Sequence, residues 1–286
     1  MIVVTGATGK LGQAITERLL EKLPASQLGI SVRDPKKAEA LAERGVRVRQ
    51  GDFKDPASLR HAFEGASQVL IISSNSSGDD AVEHHRTAIE AAKAIGAGRI
   101  LYTSHMGSNP QSLFPPMRDH AATEALLQAS GVPFTSLRNG FYVDSGIMLM
   151  GQALETGKLA APEDGSVSWT THADLSEAAT IALTEEGRLA GITPPLTSTE
   201  IFDLSDIAAI ASELTGREIT RVITKEEEYR AGMISHKVSE PQADLLMGLF
   251  AASRQGEFSA VDPTLTHLLG RSPMTIRDGL ATRLSS

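Results

Sequence analysis

Short apolar runs alternate with helix-like stretches along the first 140 residues of the chain. The runs are rich in β-branched residues, as strands are. They cover residues 2–5, 28–33, 46–50, 68–73, 99–104 and 133–138. The stretches between them repeat apolar residues every three or four positions, as amphipathic helices do. They cover residues 11–22, 35–44, 56–63, 81–96 and 120–129. This alternation predicts a parallel sheet with helices on both faces.

The rhythm changes after about residue 140. A helix-like stretch over residues 143–155 leads into a segment that is typical of a short strand or loop pair. A helix over residues 171–187 and a long helical tail from residue 203 follow. We therefore predict an α/β chain with a Rossmann-type doubly wound parallel sheet over residues 1–142, to which some later segments return. A smaller, mostly helical C-terminal cap is predicted over residues 143–286.

Composition and charge narrow the possible functions. The chain has 286 residues and a formal net charge of −8, which disfavours nucleic acid as a partner. It has no cysteine, so disulfides, thiolate metal ligands and cysteine nucleophiles are excluded, and redox chemistry has to come from a bound cofactor. No apolar run is long enough to span a bilayer, and a strand-like run directly follows Met1, so we expect a cytoplasmic protein without membrane contact. A monomer and a homodimer both stay open.

Three glycines follow the first predicted strand and open the first predicted helix, in the spacing Gly6-x-x-Gly9-x-x-Gly12. Such glycines allow a sharp turn, a close approach of the backbone to a pyrophosphate, and close packing of the helix on the sheet. The free N–H groups at the helix N-terminus then favour an anion. A glycine-rich turn needed only for packing is the alternative. We predict a dinucleotide site whose loop residues are Gly6, Thr8, Gly9, Lys10, Leu11 and Gly12.

The residue that ends the second predicted strand indicates which dinucleotide binds. Units specific for NAD usually carry an acidic residue there to hold the ribose 2′-hydroxyl, whereas this chain carries Arg33. Lys36 and Lys37 follow, and guanidinium and ammonium groups suit a 2′-phosphate. Both lysines also fit an ordinary solvated helix start, and Asp34 fits a helix cap. We predict NADPH as the cofactor, with Arg33 and Lys37 at the phosphate.

Polar residues close the other predicted strands, and the carboxyl ends of parallel strands share one crevice. The predicted cofactor contacts there are Asp52 and Phe53 near the adenine, Ser73 and Ser74 near the pyrophosphate and ribose, and Thr103 and Ser104 near the nicotinamide ribose. Turn chemistry and hydroxyls satisfied within the protein are the alternative roles. No metal site is predicted, because the adjacent His84 and His85 lack the i, i+4 spacing of a chelating pair on a helix.

Several motifs, taken in order, resemble the NmrA-like atypical short-chain dehydrogenases. They are VTGATGKLG, R-x-P-x-K after the second strand, QGDF, YTS, HAATE and LRNGFY. Within that family the chain is similar to bacterial NADPH-dependent quinone reductases, triphenylmethane dye reductases and flavin-free azo dye reductases. The resemblance covers nearly the whole chain and is strongest over residues 1–145. It implies an NADPH-dependent oxidoreductase that uses neither flavin nor metal and acts on a small conjugated substrate.

One departure from the parent superfamily concerns the proton donor. Ordinary short-chain dehydrogenases use Tyr-x-x-x-Lys on the helix after the fifth strand. When Glu124 is aligned with the acidic residue that follows that motif, Pro116 takes the Tyr position and His120 the Lys position. Proline has no ionisable group, so the usual tyrosine mechanism should fail. His120 can bond the nicotinamide ribose or relay a proton at an ordinary pKa near 6.5, and its i, i+4 spacing lets it meet Glu124 on one helix face. A surface histidine is the alternative.

The segment LRNGFY follows the sixth predicted strand, and the resemblance implies that it lies beside the nicotinamide and the substrate. The predicted catalytic residues are His120, Asn139 and Tyr142. Tyr142 either donates a proton or stacks on an aromatic acceptor. Further cofactor contacts are predicted at His120, Asn139, Gly140 and Phe141. The predicted substrate contacts, in a pocket between the crevice and the cap, are His105, Met106, Phe141, Tyr142 and Trp169.

The missing tyrosine agrees with direct hydride transfer to a conjugated acceptor, since such an acceptor takes hydride readily and its proton from solvent. We therefore expect a flavin-independent reductase of a quinone, an azo dye or a triphenylmethane dye. The resemblance also leaves open a non-catalytic dinucleotide redox sensor that acts through a protein partner, as the family's namesake does. The His-x-x-Thr-Glu and LRNGFY segments favour the enzyme.

Overall fold

The computed structural model of the chain describes residues 1–284, and its central feature is a seven-stranded sheet. The strands of that sheet are β1 Ile2–Thr5, β2 Leu28–Val32, β3 Arg47–Gln50, β4 Gln68–Ile71, β5 Arg99–His105, β6 Phe134–Asn139 and β10 Gly191–Ile192. Two pairs of short strands lie outside it. They are β7 Phe141–Tyr142 with β9 Trp169–Thr170, and β8 Lys158–Ala161 with β11 Thr220–Ile223.

All pairings within the seven-stranded sheet are parallel. The strand order is β10-β6-β5-β4-β1-β2-β3, so the chain winds outward in both directions from β1. The order reverses between β1 and β4, which is where doubly wound sheets bind their ligands. The predicted doubly wound parallel sheet is confirmed, and all six predicted strands are present.

Helices connect these strands and make up most of the C-terminal part. They are α1 Lys10–Lys22, α2 Glu39–Glu43, α3 Pro56–Phe63, α4 Asp79–Ala94, α5 Pro115–Ser130, α6 Val143–Leu149, α7 Ala153–Thr156, α8 His172–Thr184, α9 Leu204–Thr215, α10 Glu226–Ser235, α11 Glu240–Arg254, α12 Thr264–Leu269 and α13 Ile276–Leu284. Side-chain hydrogen bonds to the backbone fix where some of these helices begin. The Asp55 side chain accepts the N–H groups of Ala57 and Ser58 at the start of α3, as an N-cap does.

The chain forms two compact units. The first contains residues 1–110, 116–139 and 172–194, and with them the whole seven-stranded sheet. The second contains residues 111–115 and 140–171 and the chain from residue 195 onward. Helix α8 and strand β10 therefore belong to the first unit, although they follow residue 142 in sequence.

Three strands, β7, β10 and β11, were not predicted from the sequence, and β7, like β10, has only two residues. The expected long helical tail from residue 203 is wrong at β11, which pairs in parallel with β8. Gly216 ends α9 in the left-handed region at φ 66°, and three of the four residues of β11 are β-branched, which favours a strand. Strand β10 has only two residues, too few to show any periodicity.

The core of the first unit lies against the middle strands of its sheet. Val69, Leu70 and Ile71 of β4 and Tyr102 of β5 are fully buried, as expected for parallel strands that carry helices on both faces. Val69, Ile71 and Tyr102 form one hydrophobic cluster with residues of two helices. These are Leu59 and Phe63 of α3 and Ala88 and Ile89 of α4. Among residues 1–284, no helix has the length and apolar character needed to cross a bilayer.

Candidate active site

The glycine loop between β1 and α1 shows which glycines the fold itself requires. Gly6 has φ +61°, a conformation that L side chains rarely adopt. A Cβ on Gly12 would overlap the carbonyl oxygen of Gly6. Gly9 has an ordinary backbone at φ −83° and ψ 164°, and a Cβ there would meet only the Gly6 carbonyl oxygen, at 3.4 Å. Packing therefore accounts for Gly6 and Gly12 and does not account for Gly9.

The same loop is open to solvent where a phosphate would bind. Thr8, Gly9 and Lys10 are exposed, whereas Leu11 and Gly12 are buried at the start of α1. The N-cap residue of α1 is Gly9, which has no side chain with which to cap the helix. The helix dipole favours an anion at this N-terminus. The loop therefore has the shape and the donors of a pyrophosphate cradle.

The end of β2 presents positive charge to solvent. Arg33, Lys36 and Lys37 are all exposed. Asp34 accepts the N–H of Lys36 at 3.1 Å and caps the 3₁₀ turn over residues 35–38, which confirms the expected capping role. Its carboxylate is thereby used locally, and the cationic side chains beside it suit a phosphate.

Two predicted contacts near the end of β5, Thr103 and Ser104, are hydrogen-bonded within the protein. The Thr103 hydroxyl accepts the N–H of Ser73 at 2.9 Å. The Ser104 hydroxyl donates to Glu124 at 2.8 Å. Both residues are buried. Their hydroxyls are satisfied internally, which is the alternative role that the sequence left open.

Two histidines of α4 hold the segment that follows β4, and sequence reasoning missed them. Ser74 donates its N–H to Nε2 of His85 at 2.8 Å, and its hydroxyl lies 3.1 Å from Nδ1 of His84. The His84 ring stacks on Phe53, with centroids 6.0 Å apart. Both histidines therefore contact residues predicted to bind the adenine and ribose, and their adjacency in the sequence gives no signal of this role. Within residues 1–284, no group of three or more His, Cys, Asp or Glu side chains is placed to hold a metal ion.

Asp52, predicted near the adenine, follows β3 and is tied into its own turn. Its carboxylate accepts the N–H of Lys54 at 2.9 Å, and its N–H donates to the Ser58 hydroxyl at 3.0 Å. The preceding Gly51 donates its N–H to the Val32 carbonyl at 3.0 Å. These bonds fix the backbone between β3 and α3, so the turn presents Phe53 in a defined position.

His120 of α5 lies against β5 rather than in solvent. Its Nδ1 is 2.7 Å from the hydroxyl of the buried Tyr102. Its ring stacks on that of His105, the last residue of β5, with centroids 6.1 Å apart and planes at 27°. His105 accepts the N–H of Gly107 on its own Nδ1 at 3.1 Å. His120 and Glu124 both bind β5 residues, so they occupy one face of α5.

The protein keeps these imidazoles neutral. Burial lowers the pKa of His120 to about 4, although the nearby Glu124 charge opposes the shift. Burial, and then the proximity of His120, lowers the pKa of His105 well below its ordinary value. A proton relay through His120 was expected to use a pKa near 6.5, and the lowered pKa removes that basis. At neutral pH His120 serves as a hydrogen-bonding group.

Asn139 ends β6 beside His105, its register partner in β5. Its main-chain carbonyl accepts the N–H of Met106 at 2.8 Å, which joins the two strand ends. The residue is only 2% exposed, and its side-chain oxygen Oδ1 is buried without a hydrogen-bond partner among residues 1–284. A buried acceptor of this kind is costly unless a ligand satisfies it.

Other predicted residues lie in the second unit. Gly140 donates its N–H to the Leu196 carbonyl at 2.8 Å, and a Cβ there would overlap Oγ1 of Thr170. Phe141 packs edge-on against Trp169, with centroids 5.5 Å apart. Trp169 is buried, and its indole N–H donates to the Phe202 carbonyl at 2.9 Å. Tyr142 is half-buried. The substrate roles of Phe141, Tyr142 and Trp169 stay predictions.

Acidification is expected to destabilise the protein. Burial, and then the charges of His120 and His84, lowers the pKa of His85 to about 3, and that of His120 is about 4. Both take a value near 6.5 when the chain unfolds. The unfolded state therefore binds more protons as the pH falls below 6.5, and stability falls with it. At pH 5 the free energy of unfolding should be about 2 kcal/mol lower per histidine than at pH 7.5.

Urea-induced unfolding of the whole chain at these two pH values measures the loss. His85→Gln should make stability depend less on pH. His61→Gln should not, because the His61 side chain is 66% exposed. If His85→Gln left the pH dependence as steep as in the wild type, the buried neutral histidine would not be its source.

The comparisons with known proteins agree with this geometry. Residues 6–185 match a family model described as NAD(P)H-binding. Quinone oxidoreductase 2 of Escherichia coli is 35% identical over 284 residues, covering 98% of each chain. The solved structure of the E. coli NADPH-dependent quinone oxidoreductase with NADPH matches with a TM-score of 0.93 at 33% identity, over 100% of both chains.

A second solved structure extends the comparison to dye reduction. Citrobacter sp. triphenylmethane reductase, in complex with NADP(H), matches with a TM-score of 0.91 at 33% identity, over 99% of both chains. The match to the family model covers more than half of this chain, and the E. coli relative extends it to nearly the full length. The chain belongs to the NAD(P)H-binding family, as its resemblance to the NmrA-like reductases predicted.

Proposed function

We propose that this chain passes hydride from NADPH, without flavin, to a flat conjugated acceptor, which is a quinone, an azo dye or a triphenylmethane dye. The chain is an NAD(P)H reductase, and the proposal concerns its cofactor preference and its acceptor. The observation that supports it most is the full-length likeness to a quinone oxidoreductase solved with NADPH. The likeness to a triphenylmethane reductase supports a range of conjugated acceptors.

The residues present fit a dinucleotide. Gly9 leaves space for a pyrophosphate at the uncapped N-terminus of α1. Asn139 offers a buried acceptor at the carboxyl end of β6, and no hydrogen-bond donor within residues 1–284 satisfies it. In the proposal the glycine loop holds the pyrophosphate, and Asn139 and His120 hold the nicotinamide end. The reduced nicotinamide supplies the hydride.

Arg33 supports the preference for NADPH over NADH. It is exposed at the end of β2, where a residue that reads the ribose 2′ position lies in this fold. Its guanidinium can bind a phosphate through two parallel hydrogen bonds. Asp34, the nearest carboxylate in sequence, accepts the N–H of Lys36 as a helix cap, so a local role accounts for its presence beside Arg33.

The proposed chemistry needs no strong acid from the protein. His120 is neutral at pH 7, since its pKa is about 4, and it positions groups by hydrogen bonding. His105 ends β5 and Met106 follows it, and these two residues are the proposed substrate contacts of the first unit. The proton that a reduced quinone requires comes from solvent.

The test is a cofactor oxidation assay on the purified chain without added flavin. NADPH and NADH are each offered with a quinone, an azo dye and a triphenylmethane dye. Acceptor-dependent loss of NADPH absorbance, much slower with NADH, is the expected result. Tight dinucleotide binding without turnover on any acceptor would overturn the proposal and favour a redox sensor that acts through a protein partner.

Replacing the Arg33 guanidinium at the end of β2 should weaken the binding of NADPH more than the binding of NADH. Arg33→Ala is expected to raise the KM for NADPH about 10- to 150-fold, since a charge-assisted hydrogen bond contributes about 1.5–3 kcal/mol. The KM for NADH should change less than about 2-fold, since NADH has no 2′-phosphate. Arg60→Ala, at an exposed arginine of α3, is the matched control. Equal losses for both cofactors would show that Arg33 does not read the 2′-phosphate.

A further inference from the structure

A backbone donor fixes the tautomer of His85. The main-chain N–H of Ser74 can only donate, and it points at Nε2 of His85 from 2.8 Å. Nε2 therefore carries the lone pair, and the neutral ring carries its proton on Nδ1. That Nδ1 lies 2.8 Å from the Thr123 hydroxyl. The Thr123 hydroxyl donates its own hydrogen to the Asp119 carbonyl at 2.8 Å, so it accepts from His85.

The Tyr102 hydroxyl lies between His85 and His120. It is 3.5 Å from Nδ1 of His85, the nitrogen that carries the proton, and 2.7 Å from Nδ1 of His120. Toward His85 its oxygen therefore faces a donor. The short contact to His120 is suited to the hydroxyl hydrogen, because burial keeps that imidazole neutral and able to accept.

We infer that Tyr102 is a positioning residue, which donates to Nδ1 of His120 and so fixes His120 as the tautomer with its proton on Nε2. His120 makes no hydrogen bond through Nε2 within residues 1–284, so that N–H is left for a ligand. The inference rests on the proposed function only for what that ligand is. Tyr102 itself is fully buried in β5 and is not a catalytic residue.

The neighbouring His105 is the same tautomer as His120. The N–H of Gly107 donates to its Nδ1, so a neutral His105 also carries its proton on Nε2. The two stacked rings thus both carry their proton on Nε2. The Nε2–H of His120, held in one orientation, suits an acceptor oxygen that gains negative charge.

The proposed acceptors differ in how much an N–H donor helps their reduction. Hydride addition to a quinone gives a hydroquinone anion, whose oxygen carries the new charge until solvent protonates it. Hydride addition to a cationic triphenylmethane dye forms one C–H bond and gives a neutral product, so no anion develops and no proton is consumed. An oriented N–H donor on His120 therefore speeds quinone reduction more than dye reduction.

The first test is histidine ¹⁵N NMR on the wild-type chain without cofactor. His120→Gln identifies the His120 signals by their loss. An Nε2–H pattern for His120 is expected, and an Nδ1–H pattern would overturn the inference whether or not the protein reduces any acceptor. This measurement requires no turnover, so its failure is separate from failure of the proposed function.

The second test uses Tyr102→Phe, with Tyr229→Phe on α10 as the matched control. Tyr102→Phe should shift the His120 signals toward a mixture of tautomers. The ratio of quinone turnover to triphenylmethane dye turnover should fall about 10-fold. Tyr229→Phe should change neither readout. A turnover ratio that stays constant in Tyr102→Phe would contradict the positioning role and indicate that the hydroxyl only fills the core.

Discussion

Glu124→Ala is expected to lower the free energy of unfolding by about 3–5 kcal/mol. It removes the carboxylate of a buried ion pair and leaves its hydrogen-bonding partners without an acceptor. The Glu124 carboxylate accepts hydrogen bonds from Ser104 at 2.8 Å, Ser108 at 3.0 Å and Ser136 at 3.0 Å. It also pairs with Arg138, at 3.0 Å to Nε and 2.7 Å to a terminal nitrogen. These partners belong to β5, the segment after it and β6, so one side chain of α5 ties three parts of the first unit together.

The state of charge of Glu124 follows from the same contacts. Burial alone would raise the pKa of this carboxyl. The hydrogen bonds from Arg138 and Ser104 outweigh burial and hold the pKa below its ordinary value. Its charge therefore contributes to stability above pH 4.5 and is lost as the pH falls through the lower folded pKa. Removing the carboxylate leaves the Arg138 guanidinium, whose side chain is 27% exposed, without this partner.

Chemical unfolding at pH 7.5 measures this loss. Glu124→Gln keeps the shape and part of the hydrogen bonding, so it should fall between the wild type and Glu124→Ala. Glu213→Ala is the matched control, because Glu213 pairs with Arg277 on the surface and its side chain is 64% exposed. An exposed pair contributes about 1 kcal/mol or less. If Glu124→Ala cost no more than Glu213→Ala, the buried network would not be a source of stability.

The sequence predicts the sheet well, since that part of the fold depends on local patterns. Each of the first six strands lies between turn signals, and β4 and β5 are runs whose burial on both faces leaves little polar alternation. Strand β10 cannot be predicted in this way. Gly191 and Ile192 form a strand only because they pair with Thr135 and Ser136, which are far away in the sequence.

The candidate site is less predictable, because hydrogen bonding decides what each polar side chain does. Ser104 and Thr103 stand at the expected strand end, yet their hydroxyls bind Glu124 and Ser73. Tyr102 lies in a buried strand, and nothing in the sequence indicates that it reaches His120 across to α5. An alternating pattern predicts which face of a strand a side chain occupies, but it does not predict which group that side chain hydrogen-bonds.

Burial is the other quantity that the sequence does not give. His120 was identified from motif spacing, and its ordinary pKa suggested a proton relay. The structure places it against Tyr102 and His105, where burial lowers its pKa to about 4. The same residue is thereby a hydrogen-bonding group at neutral pH, and its chemistry depends on the surrounding shell more than on its type.

Gly9→Ala is expected to lower the affinity for NADPH about 100-fold while the chain stays folded. The backbone of Gly9 suits any L residue, and a Cβ there would meet only the Gly6 carbonyl oxygen, at 3.4 Å. Replacing glycine by alanine at a helix N-cap costs about 1 kcal/mol or less. The methyl group would, however, occupy the space above the first N–H groups of α1, where the pyrophosphate has to approach.

Gly12→Ala provides the contrast within the same loop. A Cβ on Gly12 would overlap the Gly6 carbonyl and crowd Ala7, so this variant should lose both stability and affinity. Calorimetric titration with NADPH and thermal unfolding without it separate the two effects. If Gly9→Ala bound NADPH as tightly as the wild type, the phosphate would not lie over Gly9. If Gly9→Ala unfolded as readily as Gly12→Ala, the glycine at position 9 would serve packing, and the loop geometry would no longer argue for a ligand.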